Sequence, residues 1–245
     1  MRSFRERSQE EEIMDDLSCS GEVVDQTLRE LDIINRRLGG NFLSVQGLKT
    51  LTANHPKEVP LTIADLGCGG GDIMILMARW LRKNGFKAKL IGIDANPNII
   101  RYAEQHCSDY PEISFQCLDI FSEQFSALQF DMVHSSLFTH HFTHPQLVTL
   151  FSQLKQQTRL GIIINDLQRH WLAYYSIKLI TRFFSKSAMV RNDAAVSVAR
   201  GFHKDELKAV LAAAGLQQYT IDWKWAFRWK VVVWVDFRQK IKEQR

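Results

Sequence analysis

The sequence predicts an α/β fold: a doubly wound sheet of seven strands, five parallel and two in an antiparallel edge hairpin, with N-terminal helices and a helical insertion. Three observations predict it. Short apolar runs alternate with helix-patterned segments between residues 61 and 165. A glycine cluster follows the first of these runs, and two β-rich runs lie close together near the C-terminus.

Ile13, Met14, Leu17, Val24, Leu28, Leu31, Ile34 and Leu38 recur mostly at three- and four-residue spacing, which predicts a helical cap over residues 1–40 stopped by Gly39-Gly40. Leu61–Leu66 reads as the first strand and Asp72–Asn84 as a helix. Lys89–Ile93, Ile113–Cys117, Phe130–His134 and Leu160–Asn165 read as further strands, with helices at Asn98–His106 and His144–Gln156 between them. This alternation predicts βα units with right-handed crossovers. Trp171–Arg200 reads as an aromatic-rich helical lid, and Lys204–Ala214 as an amphipathic helix ended by Gly215. Gln218–Asp222 and Phe227–Phe237 read as strands whose short connection makes them antiparallel neighbours. The main domain is therefore expected over residues 41–237, with the lid at about 171–200 and a charged tail at 238–245.

Composition narrows the function classes. The chain has 245 residues, 45% apolar and 24% charged, enough for one sizeable core. A net charge of +4 is mild, and Lys and Arg are scattered, the densest run being Arg238, Lys240, Lys242 and Arg245 at the end. No basic stripe marks a nucleic-acid partner. The four cysteines form no C-x-x-C pair, so neither a zinc nor a redox motif is present and no metal is expected. The opening MRSFRERSQEEEIMDD lacks an apolar signal segment, and the runs Trp171–Phe184 and Trp229–Phe237 fall short of the ~20 residues of a membrane span. A cytoplasmic protein is expected, monomer or homodimer, without a membrane partner.

The strongest chemical signal is Ile63-Ala64-Asp65-Leu66-Gly67-Cys68-Gly69-Gly70-Gly71-Asp72. A strand turning sharply into a helix beside a ligand needs residues without Cβ. Asp94 ends the next strand, 23 residues past Gly71, where a carboxylate accepts from ribose hydroxyls. Asp119 ends the third strand, in reach of an adenine amino group. Each aspartate alone reads equally well as a helix N-cap; in sequence behind the glycine turn they describe a nucleoside site. The glycine pattern is G-x-G-x-G-D, not G-x-G-x-x-G, and Asp72 opposes a pyrophosphate. A cationic sulfonium with an amino-acid tail fits these charges better than a dinucleotide. A phosphate-cradling G-x-x-x-x-G-K-[ST] run is absent.

These runs, with Gly92–Asn96, Leu118–Ile120 and Phe130–Ser136, resemble the successive motifs of class I S-adenosylmethionine-dependent methyltransferases over about residues 40–237. The resemblance implies a Rossmann-like fold with S-adenosylmethionine as cofactor and S-adenosylhomocysteine as product. It implies that Gly67, Cys68, Gly69 and Gly71 contact the methionine part, that Asp94, Ala95 and Asn96 serve the ribose, and that Asp119 and the Ile120 amide hold the adenine. Asp65 would shape the loop, and Ser135 would end the fourth strand at the cofactor.

The acceptor is expected to be a small molecule. The run Ser135-Ser136-Leu137-Phe138-Thr139-His140-His141-Phe142 is similar to the subset that methylates quinone-like (ubiquinone or menaquinone type) and phenolic compounds. The pattern Glu12-Ile13-Met14-Asp15-Asp16 with Leu28–Leu31 and Ile34-Asn35 is similar to bacterial small-molecule enzymes of polyketide or isoprenoid-quinone pathways. The Asn/Asp-Pro-Pro-aromatic motif of exocyclic amino-group methylation is missing. O-methylation of a phenol calls for a base, and His140, His141 and His170 are the candidates. Arg169, Tyr174 and Arg191 are the candidate substrate contacts. The competing readings are an RNA or protein methyltransferase and a non-catalytic cofactor-binding protein.

Overall fold

The computed structural model describes residues 3–235. The expected tail 238–245 and the end of the expected strand 227–237 lie outside the described residues. One mixed sheet of seven strands runs through the molecule in the order β3-β2-β1-β4-β5-β7-β6. These are β1 (Leu61–Leu66), β2 (Ala88–Asp94), β3 (Ile113–Cys117), β4 (Phe130–Ser136), β5 (Thr158–Leu167), β6 (Tyr219–Lys224) and β7 (Arg228–Trp234). The first five pair in parallel, and β7 is antiparallel to both β5 and β6. The Rossmann-like expectation therefore holds, including the antiparallel hairpin.

Helices cover both faces, as burial of a parallel sheet requires. On one face α2 (Gly40–Thr52), α3 (Asp72–Lys83) and α4 (Pro97–His106) bury Leu48, Leu51, Met74, Met77, Leu81 and Ile100 against Ile63, Leu90 and Ile163. On the other, α5 (Glu123–Ser126), α6 (His144–Gln157) and α9 (Lys204–Ala213) bury Phe125, Leu147, Leu150, Leu154, Leu207 and Leu211 against Leu66, Val133, Ile164 and Val231. Local signals set the helix starts. Asn96 caps α4 ahead of Pro97, with its Oδ1 accepting from Asn98 N at 2.8 Å. Thr143 with Gln146 and His203 with Glu206 form capping boxes for α6 and α9.

The expected N-terminal helical segment is present as a 3-10 turn at Ile13–Asp15 and then α1 (Glu22–Arg37), separated at Gly21, whose φ of 78° suits glycine. The helix α2 that follows carried no amphipathic signal because it is buried on most sides; Gly47 lies so close to the sheet that a Cβ would meet Ile163 at 2.5 Å. The 171–200 insertion is two helices, α7 (Trp171–Phe184) and α8 (Ala188–Arg200), broken at Ser185–Ser187.

Candidate active site

The strand order reverses direction of growth between β1 and β4, and in open α/β sheets ligands bind beyond the strand C-termini at that point. A cleft of about 810 Å³ opens there. Its floor is the passage from β1 to α3. Gly67, Gly69 and Gly71 have φ of 64°, 51° and 78°, the left-handed region that side chains resist. A Cβ at Gly67 would lie 2.2 Å from the Phe138 ring. His106 Nδ1 donates to Gly70 O at 2.8 Å and holds the loop from behind. Asp65, buried at 4% exposure, accepts from His134 Nδ1 at 2.6 Å, and His134 Nε2 meets Ser44 Oγ at 2.8 Å. Asp72 opens α3 on the cleft wall, its carboxyl raised above the ordinary range by burial and then by Asp32.

Beyond the turn stand the tips of β2 and β3. Asp94 Oδ1 accepts from Asn96 N at 3.0 Å. Burial raises its pKa against the lowering effect of the Asn96, Gly69 and Ala95 amides. Asp119 Oδ1 accepts from Phe121 N at 2.9 Å, and its carboxylate is exposed. Asp94, Ala95, Leu118, Asp119 and Ile120 all line the cleft. Ten carboxylates line it in total, and among the described residues Arg200 is its only lysine or arginine. The cleft is thus acidic in a chain of net charge +4.

The roof comes from far along the sequence. The 3-10 turn presents its free N-terminal amides to Asp193 on α8: Ile13 N and Met14 N donate to its two oxygens at 2.9 and 3.0 Å. Ser197 Oγ donates to Glu12 Oε2 at 2.7 Å, and Arg200 Nη1 to Asp15 Oδ2 at 2.6 Å. The same turn meets the histidines after β4. His141 Nδ1 donates to Asp15 Oδ1 at 2.5 Å; His140 Nδ1 donates to Asp166 Oδ1 at 2.7 Å. Burial disfavours the charge on His140, but Asp166 and Glu12 outweigh it and raise its pKa to about 9. Burial likewise opposes the charge on Asp15 and Asp166, yet His141 with Arg200, and His140 with Thr139, hold both well below the usual carboxylate range.

The sequence candidates separate into two groups. Asp65, Gly67, Cys68, Gly69, Asp94, Ala95, Asn96, Asp119, Ile120, His140 and His141 are brought together on one cleft. Asn96 reaches it with its side chain already committed, as N-cap and as donor to Cys19 O at 3.1 Å. Gly71 lies under the turn, where a Cβ would meet Cys107 Sγ at 2.6 Å. Ser135 is buried with its Oγ unpartnered; its neighbour Ser136 lines the cleft, since successive strand residues face opposite ways. His170 is not in the cleft: it caps α7, accepting from Leu172 N at 3.2 Å, and stacks on Phe227. Arg169 is consumed structurally. Its guanidinium donates to Phe4 O, Arg5 O, Gly201 O and both oxygens of Glu206. Arg191 holds Ser185 O, and Tyr174 packs edge-on against Phe4. The α7 aromatics Trp171, Tyr175, Phe183 and Phe184 face outward, so α8 and the N-terminal turn form the cover instead. Sequence reasoning assigned no role to Glu12, Asp15 or Asp193; the first two stood in a quoted pattern without chemistry attached.

The fold, the glycine turn and the carboxylate-tipped strands are those of the Rossmann-like class. A model of the methyltransferase domain family matches residues 57–215, more than half the chain, and the chain belongs to that family. The matched region is a methyltransferase domain. The chain is similar to the carboxy-S-adenosyl-L-methionine synthase of Helicobacter pylori strain P12, 29% identical over 109 residues. That match covers 44% of this chain and 41% of the synthase, so the chain spans about two fifths of the length of the curated relatives it matches. Among solved structures, the plantazolicin methyltransferase BpumL, which was solved with S-adenosylhomocysteine (SAH), aligns at a TM-score of 0.62 and 18% identity, covering 87% of this chain and 94% of that one. The CurJ carbon methyltransferase aligns at 0.61 and 14%, covering 80% and 54%. Magnesium protoporphyrin IX methyltransferase from Synechocystis PCC 6803, also solved with SAH, aligns at 0.54 and 16%, covering 82% and 84%. At such identities the likeness is one of fold.

Proposed function

We propose that the protein O-methylates a small phenolic or quinone-like molecule. The carrying observation is the charge of the cleft. Ten carboxylates against one guanidinium favour a cationic cofactor and repel polyanions, so an RNA acceptor is disfavoured. Gly67, Cys68 and Gly69 would hold the methionine part, Asp94 the ribose hydroxyls, and Asp119 with the Ile120 amide the adenine. When bound, the cofactor supplies an activated methyl group on a positively charged sulfur.

The chain's own residues do the rest by positioning and by excluding water. Phe138, Phe142, Met14 and Leu17 give the cleft an apolar wall suited to an aromatic ring. The acceptor hydroxyl points to the corner formed by Glu12, His140 and His141, where its proton is lost. His141 is the histidine that reaches open cleft, its side chain 19% exposed against 1% for His140.

The test is transfer of labelled methyl from S-adenosylmethionine to a panel of phenols and quinols, with bulk RNA alongside. The expected result is label in a phenol and an equal amount of SAH. Label in RNA, or SAH binding without transfer to any phenol, contradicts the proposal.

A further inference from the structure

At the roofed end of the cleft, two buried atoms face each other without hydrogen-bond partners. Glu12 Oε2 accepts from Ser197, which leaves Oε1 buried and unpartnered. His140 commits Nδ1 to Asp166, which leaves Nε2 buried and unpartnered. These two atoms lie 3.3 Å apart, an ion-pair distance without a hydrogen bond, and Arg200 Nη1 stands 3.8 Å from Glu12 Oε1. His141 stacks on His140 with ring centroids 4.4 Å apart, and its Nδ1 lies 3.9 Å from Glu12 Oε1. Ligand-capable atoms of all three residues lie within 4.8 Å of one another.

We propose that Glu12, His140 and His141 form a binding site for a divalent transition-metal ion, which receives the acceptor's hydroxyl oxygen; this deepens the methyltransferase reading and rests on it. Two nitrogen or oxygen ligands about 2.0–2.1 Å from a tetrahedral Zn²⁺ stand roughly 3.3 Å from each other, which is the separation of the orphaned pair. Two imidazoles and one carboxylate are the donor set of open zinc and iron sites, whereas Mg²⁺ and Ca²⁺ prefer all-oxygen ligands. His140 and Glu12 each have their other polar atom held from behind, by Asp166 and by Ser197, and Asp15 fixes the His141 ring through Nδ1. That outer layer fixes ring orientation in metal sites. The lack of a cysteine motif bears only on thiolate sites, so this cluster was not foreseen.

The ion would serve the reaction by acidifying the bound hydroxyl. The O–H bond breaks and its proton leaves to solvent. The oxygen lone pair then forms the O–CH₃ bond as the S–CH₃ bond breaks, with its electron pair returning to sulfur.

The experiment uses the full chain, stripped with chelator and then titrated with Co²⁺ while its visible ligand-field absorption is followed, with Zn²⁺ added in competition. SAH affinity is measured on the same samples. The proposal expects one saturable Co²⁺ per chain, displaced by Zn²⁺. It expects at least ~100-fold weaker binding in Glu12→Gln and His141→Gln, and roughly 10–100-fold weaker binding in Asp166→Asn, in variants that still bind SAH. Absence of saturable Co²⁺ binding in the wild-type chain that binds SAH overturns it, with no variant needed. So does Co²⁺ binding that Glu12→Gln and His141→Gln leave unchanged. Failure of the wild-type chain to bind SAH sinks the methyltransferase reading itself, whatever the metal does.

Discussion

Asp94 stands at the tip of β2 with one oxygen occupied by the Asn96 amide and the residue on the cleft wall. Replacing it with alanine removes a charged acceptor, so Asp94→Ala is expected to weaken SAH binding by about 1–3 kcal/mol in calorimetric titration. Unchanged affinity would remove Asp94 from the site. His141 belongs to the chemistry rather than to cofactor binding. His141→Gln should lower turnover by roughly 10²–10⁴-fold while SAH affinity stays within about twofold, and equal loss of both would contradict its assignment to the reacting end. At this scale the sequence was legible where function is local. The glycines and the strand-tip aspartates announce themselves within a few residues. The histidines did not separate, because His140 and His141 are adjacent and only the return of the N-terminal turn, with Asp15 on one and Glu12 between them, distinguishes their surroundings. Arg169 misled for a similar reason: the capping box that starts α9 places Glu206 where it captures the guanidinium.

At the scale of elements, the turn between β1 and α3 depends on the absence of a side chain at Gly67. Its φ of 64° and the Phe138 ring 2.2 Å from an added Cβ make two separate penalties. Gly67→Ala should therefore cost about 1–3 kcal/mol of stability in denaturant unfolding, and full stability would show that the turn relaxes freely. The start of α9 offers a pH test. Burial works against the charge on Glu206, but Arg169 and the His203 amide outweigh it and lower its pKa. A carboxyl lowered on folding stabilises above the unfolded value of about 4.3 and loses that contribution as pH falls through the folded value. Glu206→Gln should then cost about 1 kcal/mol at pH 7, the low end for a bond between charged groups because its side chain is 33% exposed. The gap should close below pH ~4; a pH-independent gap would assign the loss to packing. Strand and helix positions were legible from alternation and caps, whereas α2 and the break at Gly21 were not: one is buried on most sides and the other turns on a single backbone angle.

For the whole molecule, the informative feature is a charge asymmetry that composition hides. A chain of net charge +4 gathers its carboxylates on one cleft, from the N-terminal turn, the tips of β1, β2 and β3, and α8. The parallel strands that open the cleft followed from the βα alternation; their order did not. Nor did the roof, because Asp193, Ser197 and Arg200 meet residues 12–15 only after about 180 residues of chain. The expected lid over 171–200 divides in two: α7 carries its aromatics outward, and α8 supplies the polar clamp.

The central claim is that this acidic cleft holds S-adenosylmethionine on the glycine turn and the three strand tips. Calorimetric titration of the purified chain with SAH, with NAD as the control, tests it most directly. The account predicts one SAH per chain at micromolar affinity and no measurable NAD binding. Tight NAD binding, or no SAH binding by a folded chain, would contradict it.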